Sequence, residues 1–244
     1  MNTTTSTRLW LKGSIACALA MLALGTGRAI AADASVTAID VLLKPDATML
    51  QHAAATNERL LKVFPKGFAL DASHRPHITL VQRFVLTENL DKAYAAVGTV
   101  FASAKVTGLK LEAFKYYYIP DKDLGLSGIV IKPTPELLKL EQQVIDAVTP
   151  FAVKTGTSAA FVTTPEAPEV LPALITYVSA FVPKHSGENY HPHVTTGLAP
   201  REYLDKMLTE PFEAFTFSPA GAAVYHLGHF GTAAKELKEW DLKP

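Results

Sequence analysis

Cysteine is nearly absent: the 244 residues contain one, Cys17. A single cysteine excludes a disulfide framework and leaves no thiolate cluster for a metal. Net charge is absent too, with 23 Lys and Arg against 23 Asp and Glu. Long nucleic acids are held by a basic surface, so the chain offers no bulk attraction to a large one. No apolar run approaches the roughly 20 residues of a membrane-spanning helix. There is no low-complexity tract, no long linker, no glycine-rich dinucleotide fingerprint and no phosphate loop.

What is present begins with an export-type leader. Arg8 and Lys12 form a positive start, and residues 15–24, IACALAMLAL, form a short apolar core. Ala29-Ile30-Ala31 has the small-residue pattern of a cleavage site, with the cut after Ala31 or, as second choice, after Ala32. Gly25 to Arg28 break the apolar run too early for a retained membrane anchor. Cys17 lies inside the apolar core rather than after it, which argues against a lipid anchor. The expected mature protein is residues 32–244, periplasmic or secreted, with no membrane anchor and no cysteine. Removing 31 residues leaves 213. It also removes Arg8, Lys12 and Arg28 but no acid, leaving 20 basic residues against 23 acidic, a net charge of −3. That length suits one large domain or two intimate lobes.

Residues 36–44, VTAIDVLLK, read as a buried strand. Asp46 is placed to cap a helix through Phe64, with Met49, Leu50, Ala53, Leu60, Leu61 and Phe64 on one face. Residues 77–85 read as a strand. Thr87 is placed to cap a helix to about Ser103. Residues 106–119 and 127–132 are β-rich, with a turn over 120–125. Thr134-Pro135 opens a helix to about Val148. Residues 155–164 read as loop or weak strand, 168–182 as helix, 190–198 as strand and 200–208 as short helix. Residues 216–230 and 235–242 read as closing strands joined at Gly231. Without a regular βαβα beat, the class is α+β with antiparallel sheet. The order of elements recurs imperfectly in the second half, pointing to two pseudo-repeated lobes.

Two stretches echo each other: RPHITL at 75–80 and HPHVTT at 191–196. Alternation along a strand puts His77 and Thr79 on one face, and likewise His193 and Thr195, with Ile78 and Val194 pointing into the core. Each motif thus offers an imidazole and a hydroxyl side by side. Phosphodiester cleavage needs one proton removed and one supplied, which a neutral and a protonated histidine do without a metal. Threonine hydroxyls can hold the non-bridging oxygens.

HITL at 77–80 and HVTT at 193–196, 116 residues apart, resemble the paired H-x-T-x motifs of the 2H phosphoesterase superfamily, with its 2′,5′-RNA ligase-like proteins and cyclic nucleotide phosphodiesterases. The resemblance covers essentially the whole mature chain. It implies a bilobed α+β fold, each lobe an antiparallel sheet with flanking helices, around a central cleft. It implies an enzyme that uses no cofactor, with a 2′,3′-cyclic phosphate or a 2′,5′-linked small nucleotide or short oligonucleotide as substrate. By position, His77 and His193 are the catalytic pair and Thr79 and Thr195 the phosphate holders, in either order of acid and base. Thr196 departs from the family's usual apolar residue. A secreted, bacterial-type member is a second departure, because it removes the usual intracellular RNA substrates. A monomer is expected.

Accessory residues are weighed singly. His74 and His191 read as loop residues at the cleft rim. In KYYYIP, Tyr116 and Tyr118 share one face and Tyr117 the other, which reads as two packing rings and one exposed ring; as the functional alternative, Tyr116, Tyr118 and Tyr190 could stack a base. Lys115, Lys132 and Arg83 could contact phosphate. Phe114, Phe161, Phe181, Phe215 and Phe217 read as core. The close pairs His74/His77, His191/His193 and His226/His229 also allow a histidine-based metal protein, with His226 and His229 on opposite strand faces. A third alternative keeps the cleft as a nucleotide- or phosphate-binding site without turnover.

Overall fold

The structure, a computed structural model, describes residues 35–165 and 168–242. The expected leader and its cleavage site lie outside the described residues. Among those described, no helix is long and apolar enough to cross a membrane.

The apolar run VTAIDVLLKP forms strand β1, Val36–Pro45, buried along almost its whole length. Asp46 then caps helix α1, Ala47–Val63, its carboxylate accepting from the backbone N–H groups of Thr48 and Met49. Its second oxygen accepts from the Ser218 N–H at 2.8 Å, tying the start of this helix to the far end of the chain. Met49, Ala53 and Leu60 face inward as expected, whereas Leu50 is exposed.

Strand β2, Ile78–Leu86, and helix α2, Leu90–Ser103, follow. Thr87 does not cap the helix. Its hydroxyl bonds those of Ser35 and Thr37, and a single 3₁₀ turn leads into α2. Strands β3, Leu111–Asp121, and β4, Leu124–Ile131, form a hairpin with a tighter turn than expected, Lys122 taking positive φ. Helix α3, Pro135–Val148, opens as predicted, with Thr134 accepting from the Leu137 N–H and Pro135 in the first turn. A two-residue strand β5, Ala152–Val153, precedes helix α4, Pro172–His185. Pro172 starts that helix, needing no backbone donor there. Strand β6, His193–Pro200, and helix α5, Arg201–Leu208, come next.

The closing strand expected over 216–230 is three pieces of backbone. Strands β7, Phe215–Phe217, and β8, Pro219–Leu227, belong to different sheets, and residues 229–231 form a turn before β9, Ala233–Trp240.

Two antiparallel sheets result, ordered β5-β2-β1-β8-β9 and β6-β4-β3-β7. The two sheets are not successive halves of the chain, as the recurring element order implied. The first takes β1 and β2 from the start and β8 and β9 from the end, and the second takes β3 and β4 from the first half. One core joins them: Ile39, Val41, Ile78 and Val81 of the first sheet pack with Ile129, Ile131 and Val194 of the second and with Val97 and Val144 of α2 and α3. Burying each such side chain contributes roughly 1.5–3 kcal/mol. Phe161, Phe181 and Phe217 are buried as expected; Phe114 and Phe215 are only partly so.

Candidate active site

Both motifs are built alike, down to a bulge. In β2 the register against β1 shifts between Val41 and Leu42, so Leu80 is the extra residue. In β6 the register against β4 shifts between Ser127 and Gly128, so Thr196 is the extra residue. Each bulge falls directly after the motif threonine. A bulge reverses the parity of alternation, so Gln82 comes onto the face of His77 and Thr79, and Leu198 onto that of His193 and Thr195. Ile78 and Val194 point into the core, both fully buried. Thr196 is buried too, and its hydroxyl bonds the Ser127 hydroxyl at 3.3 Å. The second bulge depends on Gly197, at φ +146°, where an added Cβ would lie 2.9 Å from the Asn57 amide nitrogen.

The imidazoles are oriented the same way. His77 Nδ1 donates to the Arg75 carbonyl at 2.6 Å, and His193 Nδ1 donates to the His191 carbonyl at 2.8 Å, each reaching back across a proline. With Nδ1–H committed to a carbonyl, Nε2 is the nitrogen each ring has left for proton transfer. Both histidines and both threonines line one cavity of about 610 Å³ between the two sheets.

Their electrostatics differ. Opposite Gln82 on β1 stands Asp40, fully buried; the corresponding partner of Leu198 on β4 is Leu126. Asp40 Oδ2 lies 3.5 Å from His77 Nε2 and accepts from the Thr79 hydroxyl at 2.7 Å and the Gln82 amide at 3.0 Å. Burial works to lower the His77 pKa, but the Asp40 carboxylate and the Arg75 carbonyl outweigh it, and His77 stands above the ordinary histidine value. Among the described residues no carboxylate pairs with His193, and the Asp40 charge raises it only from a distance. Burial, reinforced by the charge of His77, brings it down to about 4 despite the bond to the His191 carbonyl. The threonines differ likewise. Thr79 has its proton committed to Asp40, while the Thr195 hydroxyl has no partner among the described residues.

Of the accessory residues, His74 and His191 line the cavity at its rim, His74 bonded to Asp71 and stacked on Phe68. Tyr190 lines it as well, but as a buried tie: its hydroxyl donates to the Thr79 carbonyl at 2.6 Å. Tyr116 and Tyr118 are placed wrongly by the stacking expectation. Tyr116 packs edge-on against Phe212, and Tyr118 donates to Asp205 of α5 at 2.6 Å, both away from the cavity. The alternate ring, Tyr117, faces the cleft and meets His193 edge-on, centroids 4.9 Å apart. Lys132 pairs with Glu112 and, like Lys115, lies over the Phe114 ring outside the cavity. Arg83 lies outside the cavity as well, and the lining cation is Arg75. His229 sits in the turn after β8, not on a strand, and bonds the Glu169 carbonyl, while His226 bonds that of Ala160. Among the described residues no group of three or more His, Cys, Asp or Glu could hold a metal ion.

Sequence reasoning missed Asp40, Gln82 and Asn57. The Asn57 side chain, buried on α1, donates to the carbonyls of Thr196 and Phe68 and accepts from the Leu70 N–H. It therefore fixes the second bulge and the loop leading to His77. Asp40 did carry a signal: a carboxylate inside an apolar strand must find a partner.

No protein-family model and no curated protein matches the chain. Among solved structures it is similar to TT0787 of Thermus thermophilus at 14% identity, covering 84% of this chain and 98% of that one, with a TM-score of 0.49. It is similar to Escherichia coli LigT complexed with 3′-AMP at 14% identity, covering 86% and 99%, TM-score 0.42. With Usb1 of Kluyveromyces marxianus the identity is 11%, the coverage 83% and 97%, and the TM-score 0.40. At these values any chemistry rests on this chain's own side chains.

Proposed function

We propose that this protein is a phosphoesterase that uses two histidines and no metal. Its substrate is a 2′,3′-cyclic phosphate or 2′,5′-type phosphodiester of small-nucleotide size, met in the periplasm or outside the cell. One observation carries the reading: two identically oriented His-Thr pairs line one cavity, and a single buried carboxylate splits the properties of the two imidazoles. Near neutral pH His193 is neutral, with Nε2 free to accept a proton. His77, beside Asp40, holds the proton that a leaving oxygen needs.

His193 is then the general base on the attacking hydroxyl or water, and His77 the general acid. Thr195, with its hydroxyl uncommitted, donates to a non-bridging oxygen. Thr79 steadies Asp40 and is the weaker phosphate contact.

The test is turnover of uridine 2′,3′-cyclic phosphate and of a 2′,5′-linked diadenosine in the presence of a chelator. Activity is expected, and it should fall by at least about a thousandfold in both His77→Ala and His193→Ala, combining loss of acid-base catalysis and of positioning. Binding without product, or activity that survives either substitution, overturns the assignment.

A further inference from the structure

The cavity extends beyond the two His-Thr pairs, and an aliphatic stretch runs along each side of it. Leu171, Ala173 and Leu174, at the start of α4, form one side; Ile119, Leu126 and Leu198, from the second sheet, form the other. Leu171 and Ile119 are 46% and 45% exposed. Among the described residues only one other large apolar side chain, Leu208, is as exposed, and Ile119 and Leu171 both line this one cavity. A lone exposed leucine is ordinary, but apolar side chains that continue from a reactive site out to solvent mark a ligand path.

Charge restricts the ligands that can occupy that path. Among the described residues Arg75 is the only Lys or Arg lining the cavity, and Asp121 lines it with the opposite sign. An oligonucleotide brings several phosphates and calls for several cations. A nucleobase finds aromatic faces and polar groups elsewhere in the lining, such as Phe68, Phe230, Asn189 and Thr232, but its polar edge would be unsatisfied along these six aliphatic side chains. An aliphatic chain asks for neither and gains from burial along the whole wall.

We propose that this wall is a subsite for an aliphatic chain, so that the substrate is an amphiphilic phosphoester. The phosphate sits between the His-Thr pairs, and an alkyl or acyl substituent runs out between α4 and the β3–β4 hairpin. The inference rests on the phosphoesterase reading and narrows its substrate class.

The test compares kcat/KM for uridine 2′,3′-cyclic phosphate and its 5′-O-octyl ether, which share one reacting group. The octyl ether is expected to be better by at least about tenfold, a factor that two buried methylenes already supply. In the double variant Ile119→Asp, Leu171→Asp the ratio should fall to about one. Both positions are half-exposed, and a thermal melt confirms folding. A ratio near one in the unaltered protein, or a ratio that survives the double variant, overturns the subsite. The phosphoesterase reading then stands as long as the parent nucleotide is turned over and His77→Ala abolishes it. If neither compound is turned over, both readings fall.

Discussion

Asp40 is the residue on which the two imidazoles cease to be equivalent. Without its carboxylate, His77 is left with burial lowering its pKa, as in His193, and with only the Arg75 carbonyl raising it. The pH profile of kcat/KM follows from this. Activity rises as pH climbs through the His193 value of about 4, where the base loses its proton, and falls as pH passes the raised His77 value, where the acid loses its own. Asp40→Asn keeps the shape of the side chain but removes the charge. The alkaline limb should then move down, to below the ordinary histidine value near 6.5, and the acid limb should move the same way but by less, because Asp40 raises His193 only from a distance. An unmoved alkaline limb would falsify the assignment of His77 as the acid. The two histidines and threonines were legible in the sequence because strand alternation is local. Asp40 was legible only as a buried strand residue; that it stands beside His77 depends on how β1 and β2 align, which no local pattern encodes.

The strand bulges matter at the scale of elements. Each carries its motif threonine and the side chain three positions on to a common face, and the second is held by Asn57 at one side and by Gly197 from within. Asn57→Leu leaves the Thr196 and Phe68 carbonyls and the Leu70 N–H without their partner. Stability should drop by about 2–4 kcal/mol, read by denaturant unfolding. Gly197→Ala adds a clash and an unfavourable φ at the same spot and should also lower activity, since the Thr195 hydroxyl is aimed from that bend. The sequence showed helix starts well: Asp46 and Thr134 cap as read, because a cap needs only a short side chain and the next turn. It showed Thr87 badly, because that hydroxyl is taken by Ser35 and Thr37, and that contact is tertiary. The single closing strand expected over 216–230 failed for the same reason. Nothing local tells Phe217 and Pro219 that they serve different sheets.

For the molecule as a whole, the cleft exists only if the two sheets keep their separation. Tyr190 ties them, its hydroxyl running from the segment before His193 to β2, which carries Thr79 and begins just after His77. Tyr190→Phe removes the tie and leaves the ring in place. Stability is expected to fall by about 1 kcal/mol. The value of kcat should fall by about tenfold with KM little changed, since misplacing reacting groups costs rate more than affinity. Equal losses in kcat from unrelated core substitutions of the same stability cost would reduce Tyr190 to a purely structural role. The α+β class and the pairing of two motifs were legible from the sequence. The expected partition into successive lobes was not, because the recurrence of elements along the chain says nothing about which strands become neighbours.

The exchange of strands between the sheets bears on how the protein comes to be. β1 lies between β2, its near neighbour in sequence, and β8, which begins at Pro219. During synthesis β1 must wait with one bare edge until residues 219–227 have emerged, and closing so long a loop is slow. The strand face bearing Asp40, which pairs with Tyr225 of β8, is therefore completed late.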